Sequence, residues 1–168
     1  MLVGIKRSEK SFPLANYTRT LVNWKLDEQM YREFVLSPEL NLQPATFNIQ
    51  LSTDSGWRRP LWEHFYPRIR KESSLAAAAE IVVRNLNDVC RRRDGLNSKF
   101  EMQNVKLEGG RTISEIWRQQ TASDDEFARI CLAALRSVGI PARLATSGQA
   151  EFWNGAEWKP ALRPPSQR

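Results

Sequence analysis

Apolar residues recur at helical spacing in the middle of this chain and give way to a short alternating pattern near its end. Phe127, Ile130, Cys131, Ala134, Leu135 and Val138 fall at i, i+3, i+4, i+7, i+8 and i+11, one face of a helix that has to be buried. The run Ser123-Asp124-Asp125-Glu126 reads as its start: a Ser-x-x-Glu capping box with carboxylates in the first turn, where the helix dipole is positive. Gly139 falls at the C′ position, and Ile140-Pro141 forbids continuation. A second helix opens at Ser73-Ser74, carries Leu75, Ala79, Val82, Leu86 and Val89 or Cys90 on one side, and ends before the turn signal Asp94-Gly95. Trp57, Leu61, Trp62, Phe65 and Tyr66 share helical spacing after a start at Asp54 or Ser55, and such aromatics are expected in the core. Thr112 and Glu115 form a second Thr-x-x-Glu box ahead of a short helix over residues 112–118. Further upstream, residues 16–36 have looser helical spacing, read as one or two helices stopped by Ser37-Pro38.

After Pro141 the period changes. Residues 142–145 have strand character, Ser147-Gly148 marks a turn, and Asn154-Gly155 inside residues 150–160 signals a hairpin with a type I′ turn. A short strand is expected within residues 45–51, and residues 96–111, with Gly109-Gly110, read as loop. The expected class is α+β, with helices packed on a small antiparallel sheet near the C-terminus. Residues 1–56 are a helical and loop region, 57–162 the core and 163–168 a linker-like tail, together one compact domain.

Composition narrows the chemistry. The 168 residues are 41% hydrophobic, with six Trp and seven Phe, enough for a substantial core. With 25 Lys and Arg against 19 Asp and Glu the net charge is +6, compatible with an anionic polymer as partner. The basic residues are dispersed, and the one dense run, Arg91-Arg92-Arg93, follows a predicted helix whose negative end it would complement, so nucleic acid is not the expected ligand. Cys90 and Cys131 fall on apolar helix faces and read as small buried hydrophobes; whether they pair is open. One histidine and no CxxC pair argue against a metal site, and no cofactor is expected. The first residues lack a signal-peptide apolar region, and no stretch has the length of a membrane span. The expectation is a soluble segment of a longer protein, with its localisation left open and export from a bacterium one option.

The helix ending Ala-Leu-Arg-Ser-Val-Gly-Ile-Pro-Ala-Arg, followed by Glu-Phe-Trp-Asn-Gly-Ala-Glu-Trp-Lys-Pro, resembles the bacterial transglutaminase-like superfamily, which shares its core with papain-type cysteine proteases. Trp57-Arg58, Phe65-Tyr66-Pro67, the Ala-rich helix and Thr112-Ile113-Ser114-Glu115-Ile116-Trp117 are similar to that family's upstream pattern. The resemblance implies a nucleophilic Cys at the start of this helix, a His on the following strand and an orienting acid on the next. It sets the Cys position at Asp124, or at Ser123 with a loop one residue longer; the His position near Ser147, with Gln149 close by; and the acid position at Leu162. None of the three residue types is present.

Substitutes are weighed on their chemistry. Ser123 is a candidate nucleophile, but its N-cap role accounts for it without catalysis. Asp124 and Asp125 point about 100° apart on a helix, so an acid/base pair would need a further carboxylate such as Glu151. His64 lies mid-helix with no nucleophile near it in sequence, and Cys131 is two turns too deep. The expected function is therefore a binding or structural module within a larger protein, with a cleft lined by some of Trp117, Asp124, Gln149, Trp153 and Trp158 that takes a peptide or a glycan, or docks other domains of the same protein. Trp153 and Trp158 flank the Asn-Gly turn and have cross-strand packing as their simpler role. The alternatives are a hydrolase or acyltransferase acting through an atypical Ser123/Asp124 site, and a basic module for an anionic polymer.

Overall fold

A computed structural model describes residues 24, 26–36, 55–92 and 111–161. The strand expected within 45–51, the loop over 96–110, Arg93, Leu162 and the tail 163–168 lie outside the described residues. Helix α1 (Glu28–Tyr31) is capped by Asp27, whose carboxylate accepts from the Met30 N–H at 2.7 Å, and runs into a π turn, Arg32–Leu36. A 3-10 turn, Ser55–Trp57, leads into α2 (Arg58–Ile69). Arg58 reaches back to the Val35 and Leu36 carbonyls at 2.9 and 3.0 Å, so the end of the π turn is satisfied by α2. Helix α3 (Leu75–Val89) starts at an N-cap, Ser74, and buries Leu75, Ala78, Ala79, Val82, Val83 and Leu86.

Beyond α3 the chain adds an element that was not expected. Arg91 and Arg92 follow the helix end, as expected, and also form strand β1 (Arg91–Arg92), paired in parallel with β2 (Thr121–Ala122). The Arg91 N–H donates to the Gln120 carbonyl at 2.8 Å. The helix has already ended at Cys90, whose extended backbone turns the chain away from the axis. Helix α4 (Ile113–Gln119) has the expected reciprocal capping box, with Thr112 accepting from the Glu115 N–H and the Glu115 carboxylate accepting from the Thr112 N–H.

Helix α5 (Asp124–Ser137) is the centre of the molecule, packed against α2, α3, α4 and the sheet. The expected apolar face is buried, and so are Ala128, Leu132 and Ala133, which leaves the helix enclosed nearly all round from Phe127 onward. Its alanines let neighbouring elements approach closely. The end is a Schellman motif: Gly139, at φ 84°, donates to the Arg136 carbonyl at 3.1 Å, and Ile140 to that of Leu135 at 3.0 Å. Arg136 is fully buried, and its Nε and Nη2 donate to the Ala142 carbonyl at 2.9 and 2.6 Å, tying the last turn of α5 to the strand that follows.

That strand, β3 (Ala142–Leu144), pairs antiparallel with β4 (Ala150–Trp153), which pairs antiparallel with β5 (Trp158–Pro160). Ala142, Leu144, Ala150 and Phe152 face the core, and Arg143 and Glu151 pair on the other face at 2.9 Å. The architecture is thus mixed helix and sheet with the small antiparallel sheet near the C-terminal end, as expected. The Asn-Gly turn is not type I′. Only Gly155 has a positive φ, 105°, while Asn154 accepts from the Ala156 and Glu157 N–H groups at 2.9 and 2.8 Å through its side chain. Asparagine closes this four-residue loop by imitating a backbone carbonyl, not by adopting the left-handed conformation.

The Arg136 link generates a direct expectation. Arg136→Ala removes two charge-assisted hydrogen bonds and leaves a void, and should lower unfolding free energy by about 3 kcal/mol in urea titrations. Gly139→Ala forces a Cβ into the left-handed region and should cost about 1 to 2 kcal/mol in the same measurement.

Candidate functional site

The start of α5 is the feature to which the sequence assigned chemistry. Ser123 is extended and its Oγ accepts from the Glu126 N–H at 3.2 Å, the geometry of an N-cap. The Glu126 carboxylate is held by Arg111, which donates through Nε at 3.1 Å and also through Nη2. Arg111 further donates to the Thr121 carbonyl at 2.8 Å, fixing the approach to α5. Asp124 forms an ion pair with Arg92 of β1 at 3.4 Å. Two of the three carboxylates in this turn therefore anchor chain segments that converge on it. The Arg111–Glu126 pair is the stronger, with both side chains less than a fifth exposed, whereas Asp124 is 75% exposed and its pair is screened by water.

Beside this turn lies a hollow of about 230 Å³. Asp124, Asp125 and Arg92 stand on one side and Ser147, Gly148 and Gln149, in the β3–β4 loop, on the other; Phe127, Ala128, Ala150 and Ala161 complete its lining. Asp124, Ser147 and Gln149, named from the sequence, are brought together here. Leu162 lies outside the described residues, and its neighbour Ala161 lines the hollow. The loop is shaped by Gly148, at φ 83°, whose N–H donates to the Ala145 carbonyl at 2.9 Å. Arg92, Phe127, Ala128 and Ala161 were not foreseen as lining residues. Arg92 arrives through the parallel pairing of β1 with β2, a long-range contact with no local signature in the sequence.

The tryptophans are not part of the hollow. Trp117 packs on Phe65 and His64, with ring centroids at 5.7 and 5.0 Å. Trp153 and Trp158 are a cross-strand pair, edge to face at 5.7 Å; Arg143 lies over Trp158 at 4.1 Å and Phe34 meets it edge-on at 4.8 Å. Their rings pack on these neighbours and do not line the hollow. Glu151 is committed to Arg143 and does not reach the hollow as a second carboxylate.

The imidazole of His64 does not reach the start of α5. His64 Nε2 hydrogen-bonds Asn85 Oδ1 at 2.7 Å and does not line the hollow. Cys131 is fully buried, and desolvation pushes its thiol up to about 12. Cys90 is buried as well, and neither cysteine is in a disulfide. The described residues contain no cluster of His, Cys, Asp or Glu able to hold a metal ion, and no described helix is long and apolar enough to cross a membrane.

Two measurements check this picture. Both cysteines should resist a thiol-specific disulfide reagent in the native state at pH 8 and react together on unfolding in guanidinium. Ser123→Ala, which removes only the cap, should lower stability by about 1 kcal/mol. Comparison of this chain with family models, with curated proteins and with solved structures finds no match.

Proposed function

We propose that this chain is a transglutaminase-like domain that has lost its catalytic triad and serves as a binding module within a larger protein. The observation that carries the reading is the hollow. Asp124, where the resemblance expects the Cys, is far in sequence from Ser147, near which it expects the His, yet the two line one concave surface together with Gln149, and Ala161 precedes the position expected for the acid. Removing a triad leaves its groove behind.

The ligand that suits the hollow is a peptide side chain. About 230 Å³ lies below the range of sites that enclose a drug-sized molecule, so it accommodates one small group. Apolar atoms of Phe127, Ala128, Ala150 and Ala161, with an amide, a hydroxyl and charges of both signs around them, favour an amphipathic group over a sugar ring. A sugar is usually received on a flat aromatic face, and the nearby tryptophans are engaged elsewhere.

Residual acyl chemistry at Ser123 is disfavoured by the same geometry, because its hydroxyl is engaged in capping and has no imidazole beside it. A serine-directed fluorophosphonate probe should leave the protein unlabelled, and Ser123→Ala should make no difference to that result. Short peptides that bind should shift the amide resonances of Gly148 and Gln149 in heteronuclear NMR spectra, and Gln149→Trp, which fills the hollow from an exposed position, should abolish the effect. Peptide binding insensitive to Gln149→Trp, or shifts confined to other surfaces, would refute the assignment of the hollow.

A further inference from the structure

The side-chain amide that closes the β4–β5 hairpin precedes a glycine, and an amide in that position has a reaction open to it. Its oxygen is already held. Asn154 Oδ1 accepts from the Ala156 and Glu157 N–H groups at 2.9 and 2.8 Å, two donors aimed at the atom that gains negative charge when a nucleophile adds to Cγ. The nucleophile within reach is the next nitrogen of the chain, that of Gly155, which makes no hydrogen bond among the described residues. The group that would leave, Asn154 Nδ2, makes none among them either. Gly155 is exposed, and a Cβ built on it would have no atom within 4 Å, so base and water reach this peptide from outside.

We propose that Asn154 is a site of spontaneous deamidation in the folded protein, with the hairpin loop serving as the oxyanion hole for its own modification. Hydroxide takes the Gly155 amide proton, and the nitrogen bonds to Asn154 Cγ, closing a five-membered ring. The bond from Cγ to Nδ2 then breaks, and the departing nitrogen takes a proton from water and leaves as ammonia. Nucleophile and carbonyl are two atoms of one short ring, so no encounter is needed. Water opens the resulting succinimide on either side. Addition at Cγ releases the Gly155 nitrogen from the side chain and leaves an ordinary aspartate. Addition at the main-chain carbonyl carbon leaves Gly155 bonded to Cγ, which is isoaspartate.

The two products act differently on the hairpin. Aspartate keeps an oxygen where Oδ1 stood, and its charge strengthens the bonds from the Ala156 and Glu157 N–H groups. Isoaspartate lengthens the main chain by one carbon and turns the loop-closing acceptor into a backbone carbonyl. The 3.1 Å bond from the Asn154 N–H to the Glu157 carbonyl then loses its register, and with it the Trp153–Trp158 contact beside the loop. The site is independent of which ligand the hollow takes.

The test incubates the whole chain at mildly alkaline pH, folded and in guanidinium, and follows conversion of amide to acid at Asn154 by peptide mapping with mass spectrometry. Folding should raise the rate at Asn154 about threefold or more over that of the unfolded chain, through the two donors held on Oδ1. A folded rate equal to or below the unfolded one would overturn the proposal, because the same two bonds would then be locking the amide away from the Gly155 nitrogen. The products are compared separately. Asn154→Asp should melt no lower than the parent, whereas the isoaspartate form, isolated chromatographically, should melt below both. An isoaspartate form that melts with the parent would overturn the account of what the modification does to the hairpin.

Discussion

A guanidinium out of contact with solvent governs this fold. Arg136 sits in the last turn of α5, where the unpaired carbonyls of a helix end favour a cation, and it spends two donors on the Ala142 carbonyl. Burying such a charge costs several kcal/mol unless its donors are satisfied, and among the described residues no buried polar side-chain atom lacks a partner. The Schellman motif at Gly139 and the Arg136 bonds together fix the angle at which the chain leaves the helix. That angle sets β3, and β3 sets the register of the whole sheet. The β3–β4 loop, and with it one wall of the hollow, inherits its position from this corner.

The opposite end of the same helix is organised by charge on the surface. In this first turn Ser123 caps, Asp124 meets Arg92 and Glu126 meets Arg111. These pairs pull β1 and the approach to α4 onto the first turn. The same carboxylates that stabilise the helix start also hold the hollow's other wall.

The helices were legible because their determinants are local. Caps at Ser74, Thr112 and Ser123 and the exit at Gly139 each operate within one turn, so residue type and spacing suffice to find them. Two local signals nevertheless told only part of the outcome. Asn154-Gly155 does close a hairpin, but the loop is two residues longer than a type I′ turn, and the asparagine side chain does the work expected of its backbone. Arg91-Arg92 follows a helix end as expected, but its local signal was incomplete: it is also a strand, because its partner Thr121-Ala122 lies beyond a whole intervening segment that local spacing does not reach.

The sequence by itself determined where the capped helices start and where α5 begins and ends, since each of these depends on neighbours along the chain. Tertiary structure alone decided that Asp124, Ser147 and Gln149 share a hollow while Trp117, Trp153 and Trp158 do not. Aromatic spacing shows that a ring will be buried on one side without showing what it meets there. That choice belongs to non-local packing: Trp117 went to His64 and Phe65, Trp158 to Trp153, Phe34 and Arg143, and the hollow was left to small and polar residues.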